Sequence, residues 1–259
     1  MAKKSADKHY GGRGDPARSM ALLWRTGTEP RGRGPKPGLT VDRIAAAAIE
    51  LADAEGLAAL SMRRVAEKLG VGTMSLYTYV PAKAELVDVM FDLVCGEIAP
   101  PWADTWRERL ELIARANLET YRRHPWMLTV MANSRPPLGP NSIANYDRDL
   151  RAVEGIGLSD LEMDSVVAML GVYVQGAART AIEAASSERD TGQSDLEWWE
   201  AYAPLLEKVF DPEKYPTAAR VGAVAGETYE SAYDPEQGFR FGLARLLDGV
   251  EALIRNRNA

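Results

Sequence analysis

The sequence predicts an all-α protein. Apolar residues recur with a helical period along most of the 259 residues. Capping residues open these stretches, and Gly or Pro closes them. No segment alternates apolar and polar residues as a half-buried strand would.

Residues 1–38 contain GGRGD and RGRGPKPG, a Gly and Pro density that opposes regular structure. Within them DPARSMALLWR predicts a short helix. Asp15 can cap it, Pro16 suits its first position, and Met20, Leu23 and Trp24 share a face. A second helix follows Thr40, with Ile44, Ala48, Leu51 and Ala52 on one face and Gly56 as its stop. Ser61 caps a third, SMRRVAEKL, with Val65 and Leu69 inward and Gly70 as its end. AKAELVDVMFDLVCGEI predicts a long helix through Leu86, Met90, Leu93 and Glu97.

The remainder reads the same way. RERLELIARANLETYRRHP is amphipathic through Leu110, Ile113, Leu118 and Tyr121, and Pro125 closes it. SRPPLGP is a turn, and SIANYDRDLRAVEGIG is a helix stopped by its glycines. Ser159 and Glu162 form a capping box for a helix over 159–186. SSERDTGQSD reads as a polar linker, DLEWWEAYAPLLEKVF as a short helix and 211–235 as irregular chain. Phe239, Leu243, Leu246, Leu247, Val250, Leu253 and Ile254 form one wide stripe on a last helix, 238–255.

Composition bounds the function. Net charge is −6, yet residues 1–38 hold nine Lys/Arg against three Asp/Glu, leaving 22 against 34 for the rest. An acidic body with a basic arm points to a polyanionic partner at one end. No run of about eighteen apolar residues is present, so no membrane span is expected. The N-terminus lacks the apolar stretch of a secretory signal. The single cysteine, Cys95, has no internal disulfide partner, and a cytoplasmic location is expected. Two histidines and one cysteine make a His/Cys metal site an unsuitable reading, and no cofactor is expected.

The stretch LGVGTMSLYTYVPAK carries the most function. Two short helices joined by Gly70-Val71-Gly72 form a helix-turn-helix. Ala66 is small where the turn comes close, while Val65, Leu69, Val71, Leu76 and Val80 fill the space between the helices. Thr73, Met74 and Tyr77 then fall on the opposite face. Hydroxyls, a thioether and an aromatic edge suit the major groove, where they meet base edges, phosphates and thymine methyl groups.

SMRRVAEKLGVGTMSLYTYVPAKAELV resembles the DNA-binding signature of the tetracycline-repressor (TetR) family of bacterial regulators, over about residues 40–93. YRRHPW, SRPPLGPN, the Gly171–Gly176 stretch and FRFGLARLLDGVEALI extend a looser likeness across most of 104–255, to the C-terminal domain of tetracycline repressors. The resemblance implies an N-terminal three-helix DNA-binding domain, 39–93, after a basic flexible arm, 1–38. A larger helical domain for ligand binding and dimerisation, 94–259, would follow. It implies that Ser61, Arg63 and the neighbouring Arg64 meet DNA from the first motif helix. Thr73, Met74, Tyr77 and Tyr79 would contact the groove, and Lys83 would hold a phosphate. Arg31, Arg33 and Lys36 of the arm are placed to reach the minor groove or flanking phosphates.

A single recognition helix reads a short half-site, and dimers place two such helices about 34–36 Å apart. The stripes on 159–186 and 238–255, with Gly171, Gly176, Ala177 and Ala178 permitting close approach, fit the intersubunit four-helix bundle that the family implies. The family also implies a repressor of operator DNA released by a small molecule. Trp102, Trp106, Trp126, Met127, Met131, Met169, Tyr173 and Trp199 are candidates to line its site, and such side chains suit a flat apolar effector. The family's metal-binding histidine and acidic residue align near Met131 and Thr180, so a magnesium–tetracycline ligand is not expected. His124, beside a helix end, reads as a capping or packing residue.

A helical protein-interaction module without DNA binding is the rival reading. It would predict tandem repeats, which the sequence lacks. An enzyme has no support: there is no P-loop, dinucleotide glycine fingerprint or GxSxG. Activation, and repression without a ligand, remain open on the residues.

Overall fold

The computed structural model describes residues 15–26, 38–132, 135–229 and 234–257, with the side chains of 187–190, 195 and 227 excepted. The described residues form α-helices with no strand. Contacts divide the chain into two units, Met1–Ala168 and Met169–Ala259.

The first unit starts with α1, Pro16–Leu23, capped by Asp15, whose carboxylate accepts from the Arg18 amide. Its face differs from the expected one. Ser19, Leu22 and Leu23 are buried, while Met20 and Trp24 stay largely exposed. The reason is the partner: α1 packs along α5, Lys83–Cys95, and must offer a polar residue to it. Ser19 Oγ donates to Asp88 at 2.9 Å, and the Asp15 amide donates to Glu85 at 3.1 Å. Glu85, Asp88 and Asp92, at i, i+3 and i+7 of α5, are all buried.

Helix α2, Val41–Glu55, is capped by Thr40 and ends at Gly56, as the spacing predicts. It packs on α5 and on α3, Met62–Leu69. Helix α4, Thr73–Tyr77, follows, and α5 leads out of this three-helix cluster. Helices α6, Trp106–Arg123, α7, Met127–Val130, and α8, Pro140–Ala152, complete the unit with the first turns of α9, Asp160–Thr191. Leu86 and Met90 of α5 and Leu110 of α6 are fully buried. Helix α8 is pinned to α5 through Asp92, which accepts from the Ser142 amide at 2.9 Å and from Asn141 at 3.2 Å. The approach is so close that a Cβ on Gly139 would lie 2.2 Å from the Asp92 carboxyl carbon.

The second unit holds the rest of α9, then α10, Asp195–Glu207, α11, Pro216–Tyr229, and α12, Pro235–Arg257. Two expectations are corrected. The 186–195 linker is helical as far as Thr191, because α9 continues past the apolar stretch. Residues 211–235, expected to be irregular, include α11. Pro216 opens that helix, and the Trp199 ring of α10 packs beside Gly226. Leu170, Val174 and Ala178 of α9 are buried, as are Phe239, Leu243, Leu247 and Val250 of α12. Tyr173 stacks on Phe239 and donates to the Phe239 carbonyl at 2.8 Å. The opposite side of α9 is bare, with Val172 70% exposed. By length and composition alone, Asp160–Ser186 is also apolar enough to cross a membrane, a feature that a search for uninterrupted apolar runs does not find.

Candidate nucleic-acid interface

The motif is built as the spacing predicts. Ser61 Oγ accepts from the Arg64 amide at 3.3 Å and starts α3. Gly70 ends it in the left-handed region at φ 68, where a side chain would be strained. The Val71 amide then returns to the Ala66 carbonyl at 3.0 Å. Val65, Ala66, Leu76 and Val80 are fully buried, so α4 is held by one side only. Leu69 and Val71, expected inside, are half-buried at the margin.

That packing fixes what faces out. Met74 is 77% exposed, Tyr77 43% and Tyr79 38%; Thr73 is half-buried. α4 and the turn after it thus present large uncharged side chains to solvent. Arg63 projects from α3 and pairs with Glu67 at 3.2 Å, a solvent-exposed contact that screening makes weak. Arg64 behaves differently. Its guanidinium grips both oxygens of Glu55, at the end of α2, and reaches the Ala59 carbonyl at 3.2 Å. The pairing lowers the Glu55 carboxyl pKa and raises that of Arg64. Lys83, the first residue of α5, donates to the Leu57 carbonyl at 3.3 Å. Arg31, Arg33 and Lys36 lie outside the described residues.

The candidate effector residues divide between the units. Trp126 and Met127 are buried, and Met131 is half-buried with its sulfur 3.5 Å from the Tyr121 hydroxyl. Trp106 is half-buried at the start of α6. Trp102 is exposed, with the Arg109 guanidinium 4.5 Å above its ring. It lines a surface groove of about 420 Å³ with Asp104, Glu108, Glu111 and Arg115, a polar wall. Met169, Tyr173 and Trp199 belong to the second unit, where Met169 is exposed and the other two are half-buried.

Sequence reasoning missed a polar joint behind the motif. His124 is buried at the end of α6, where its amide closes the helix on the Thr120 carbonyl. Its Nδ1 lies 2.8 Å from Asp53 Oδ1 on α2, and its Nε2 lies 3.3 Å from Glu97 Oε2, just after α5. Trp126 donates to the same Asp53 oxygen at 2.7 Å, and Arg123 to the same Glu97 oxygen at 3.0 Å. Among the described residues no group of His, Cys, Asp and Glu is arranged to hold a metal ion. The buried acids of α5 were more visible: three carboxylates on one side of an apolar helix are a signal that something must cover them.

Known proteins match this arrangement in sequence and in fold. Residues 40–90 match the bacterial regulatory proteins, tetR family, and residues 99–254 match the tetracyclin repressor-like C-terminal domain. The chain is 48% identical over 250 residues to the HTH-type transcriptional repressor DrrR1 of Streptomyces coeruleorubidus, covering 95% of this chain and 89% of that one. ActR from Streptomyces coelicolor, solved without ligand, is 28% identical with a TM-score of 0.69, over 86% of this chain and 99% of that chain. In complex with actinorhodin, ActR is 29% identical with a TM-score of 0.70, over 84% and 97%.

Proposed function

We propose, from the premise that this chain belongs to the tetR family of bacterial regulatory proteins, that it is a dimeric repressor whose α4 reads an operator half-site and which a small molecule releases. One observation carries the residue assignment. Leu76 and Val80 anchor α4 inward while Met74, Tyr77 and Tyr79 stand in solvent. Large uncharged groups turned to solvent from an anchored helix suit a partner surface, and base-pair edges supply hydrogen-bonding atoms and thymine methyls to match.

Thr73, Met74, Tyr77 and Tyr79 read the groove. Ser61, Arg63 and Lys83 hold backbone phosphates, and Arg64 joins them by exchanging Glu55 for phosphate. Arg31, Arg33 and Lys36 add charge from the arm. The division into arm 1–38, DNA-binding domain 39–93 and effector and dimerisation domain 94–259 belongs to this reading. The protein works in the cytoplasm by binding, without catalysis.

The bare side of α9 supports pairing of two chains through α9 and α12. Leu161, Val172 and, on α12, Phe241 are exposed apolar residues. A Cβ on Gly171 or Gly176 would meet nothing within 4 Å, so packing inside one chain does not require these glycines. Close approach of a second chain would use the space they leave. The effector is a flat, largely apolar compound bound without metal, the class to which the aromatic and Met candidates are suited. Its release of DNA is a population shift toward a conformer with misaligned heads.

Selection of bound DNA from a random pool tests the core of this. A palindrome with half-sites about one turn apart is expected. Recovery of no sequence preference at all would leave the interaction-module reading in its place.

A further inference from the structure

We propose that His124 is a positioning residue for operator binding, a joint that registers α2 on the helices behind it when its imidazole is protonated; the operator part rests on the function proposed above. Both ring nitrogens face carboxylate oxygens, Asp53 at 2.8 Å and Glu97 at 3.3 Å. An ionised carboxylate only accepts, and a neutral imidazole has one N–H to give. The imidazolium satisfies both; the neutral ring, itself buried between partly exposed carboxylates, leaves one nitrogen lone pair against a carboxylate.

The charged groups facing the ring are Asp53 from α2 and Glu97 from the turn after α5, with Arg123 at the end of α6 bonded to the same Glu97 oxygen. Trp126 adds a neutral donor to Asp53 and stands edge-on to the ring, centroids 6.2 Å apart. Protonated, the group holds two cations and two anions; deprotonated, it carries an excess negative charge. The link to DNA is short. Asp53 lies on α2, which packs directly on α3, and α3 carries α4. Loosening His124 from Asp53 frees the end of α2 that sets the motif.

The test measures operator affinity between about pH 5.5 and 8, the interval in which histidine changes charge. Wild type is expected to lose at least about fivefold more affinity over this interval than His124→Gln, a coupling of ordinary size. Glu97→Gln supplies a second arm, since a carboxamide both accepts and donates and removes the need for the second ring proton. Its slope should also be shallower. Equal slopes in wild type and both variants would overturn the proposal. The protein has two histidines, His9 and His124, so the imidazole C–H signals are readily assigned by NMR. At one fixed pH these His124 signals should move in both Asp53→Asn and Glu97→Gln, because each substitution changes a group facing the ring. If no DNA binds at any pH, the operator reading fails instead, and the joint is judged on this signal: movement in both variants supports it, and no movement in either overturns it.

Discussion

Ser19 and Asp88 meet across 69 residues of sequence, the Ser19 hydroxyl donating to a carboxylate oxygen at 2.9 Å inside the first unit. Both residues are buried, and the contact fixes α1 along the helix that leaves the DNA-binding motif. At the far end of α1, Trp24 donates to the Leu138 carbonyl at 2.9 Å, just before α8. The helix therefore ties α5 to the 135–139 segment. Ser19→Ala removes a donor from a buried carboxylate and should cost about 1–3 kcal/mol, read as a lower midpoint in urea unfolding.

The two sides of α4 should separate binding from stability. Tyr77→Ala is expected to weaken operator binding at least about tenfold in a gel shift, while stability stays within about 0.5 kcal/mol, as for a surface change. Leu76→Ala should instead destabilise by about 2–5 kcal/mol in chemical unfolding, because it empties a fully buried site. Undiminished binding by the Tyr77 variant would remove it from the interface.

The basic arm is best tested by charge rather than by deletion, since removing residues 1–38 would also remove the docked α1. Replacing Arg31, Arg33 and Lys36 together with Gln should flatten the slope of log affinity against log salt by up to about three units per chain if each residue neutralises one phosphate. An unchanged slope would assign these three residues no phosphate contact.

Gly139→Ala should destabilise by about 1–3 kcal/mol, because the new methyl would overlap the Asp92 carboxyl. Thermal unfolding measures this directly. An unaltered melting temperature would show that α8 can move away from α5 at no cost.

Asp92 also makes stability depend on pH. Burial pushes its carboxyl above the ordinary value, while bonds from Ser142 and Asn141 pull the other way. A raised carboxyl favours the folded state while it is protonated. That contribution is complete below the unfolded value of about 3.9 and is lost as pH rises through the folded one. Wild type should therefore lose stability relative to Asp92→Asn between about pH 4 and neutrality, in urea titrations at fixed pH values. A constant difference would show that Asp92 does not titrate with folding.

The motif was legible because its signals are local. Ser61, Gly70 and the inward Leu76 and Val80 are set by capping, a left-handed stop and helical period, all within twenty residues. The same logic found most of the helices of the first unit. It failed where the decisive partner is remote in sequence. Met20 and Trp24 looked like the inner face of α1 until Asp88 demanded Ser19 there. Residues 211–235 read as irregular chain, yet α11 runs through Gly222 and Gly226, with the Trp199 ring beside Gly226. His124 and Asp53 are 71 residues apart, and no spacing rule connects them.

No residue of α4 carries a charge: its five residues are Thr73, Met74, Ser75, Leu76 and Tyr77. The cations assigned to the phosphates come from α3, the start of α5 and the arm instead. Under the proposed reading, which operator is chosen and how strongly DNA attracts the protein are therefore written in different residues. Exchanging Thr73, Met74 or Tyr77 should retarget the protein while its attraction to any duplex persists, so a set of mutually non-interfering regulators could be bred from this scaffold without rebuilding its electrostatics.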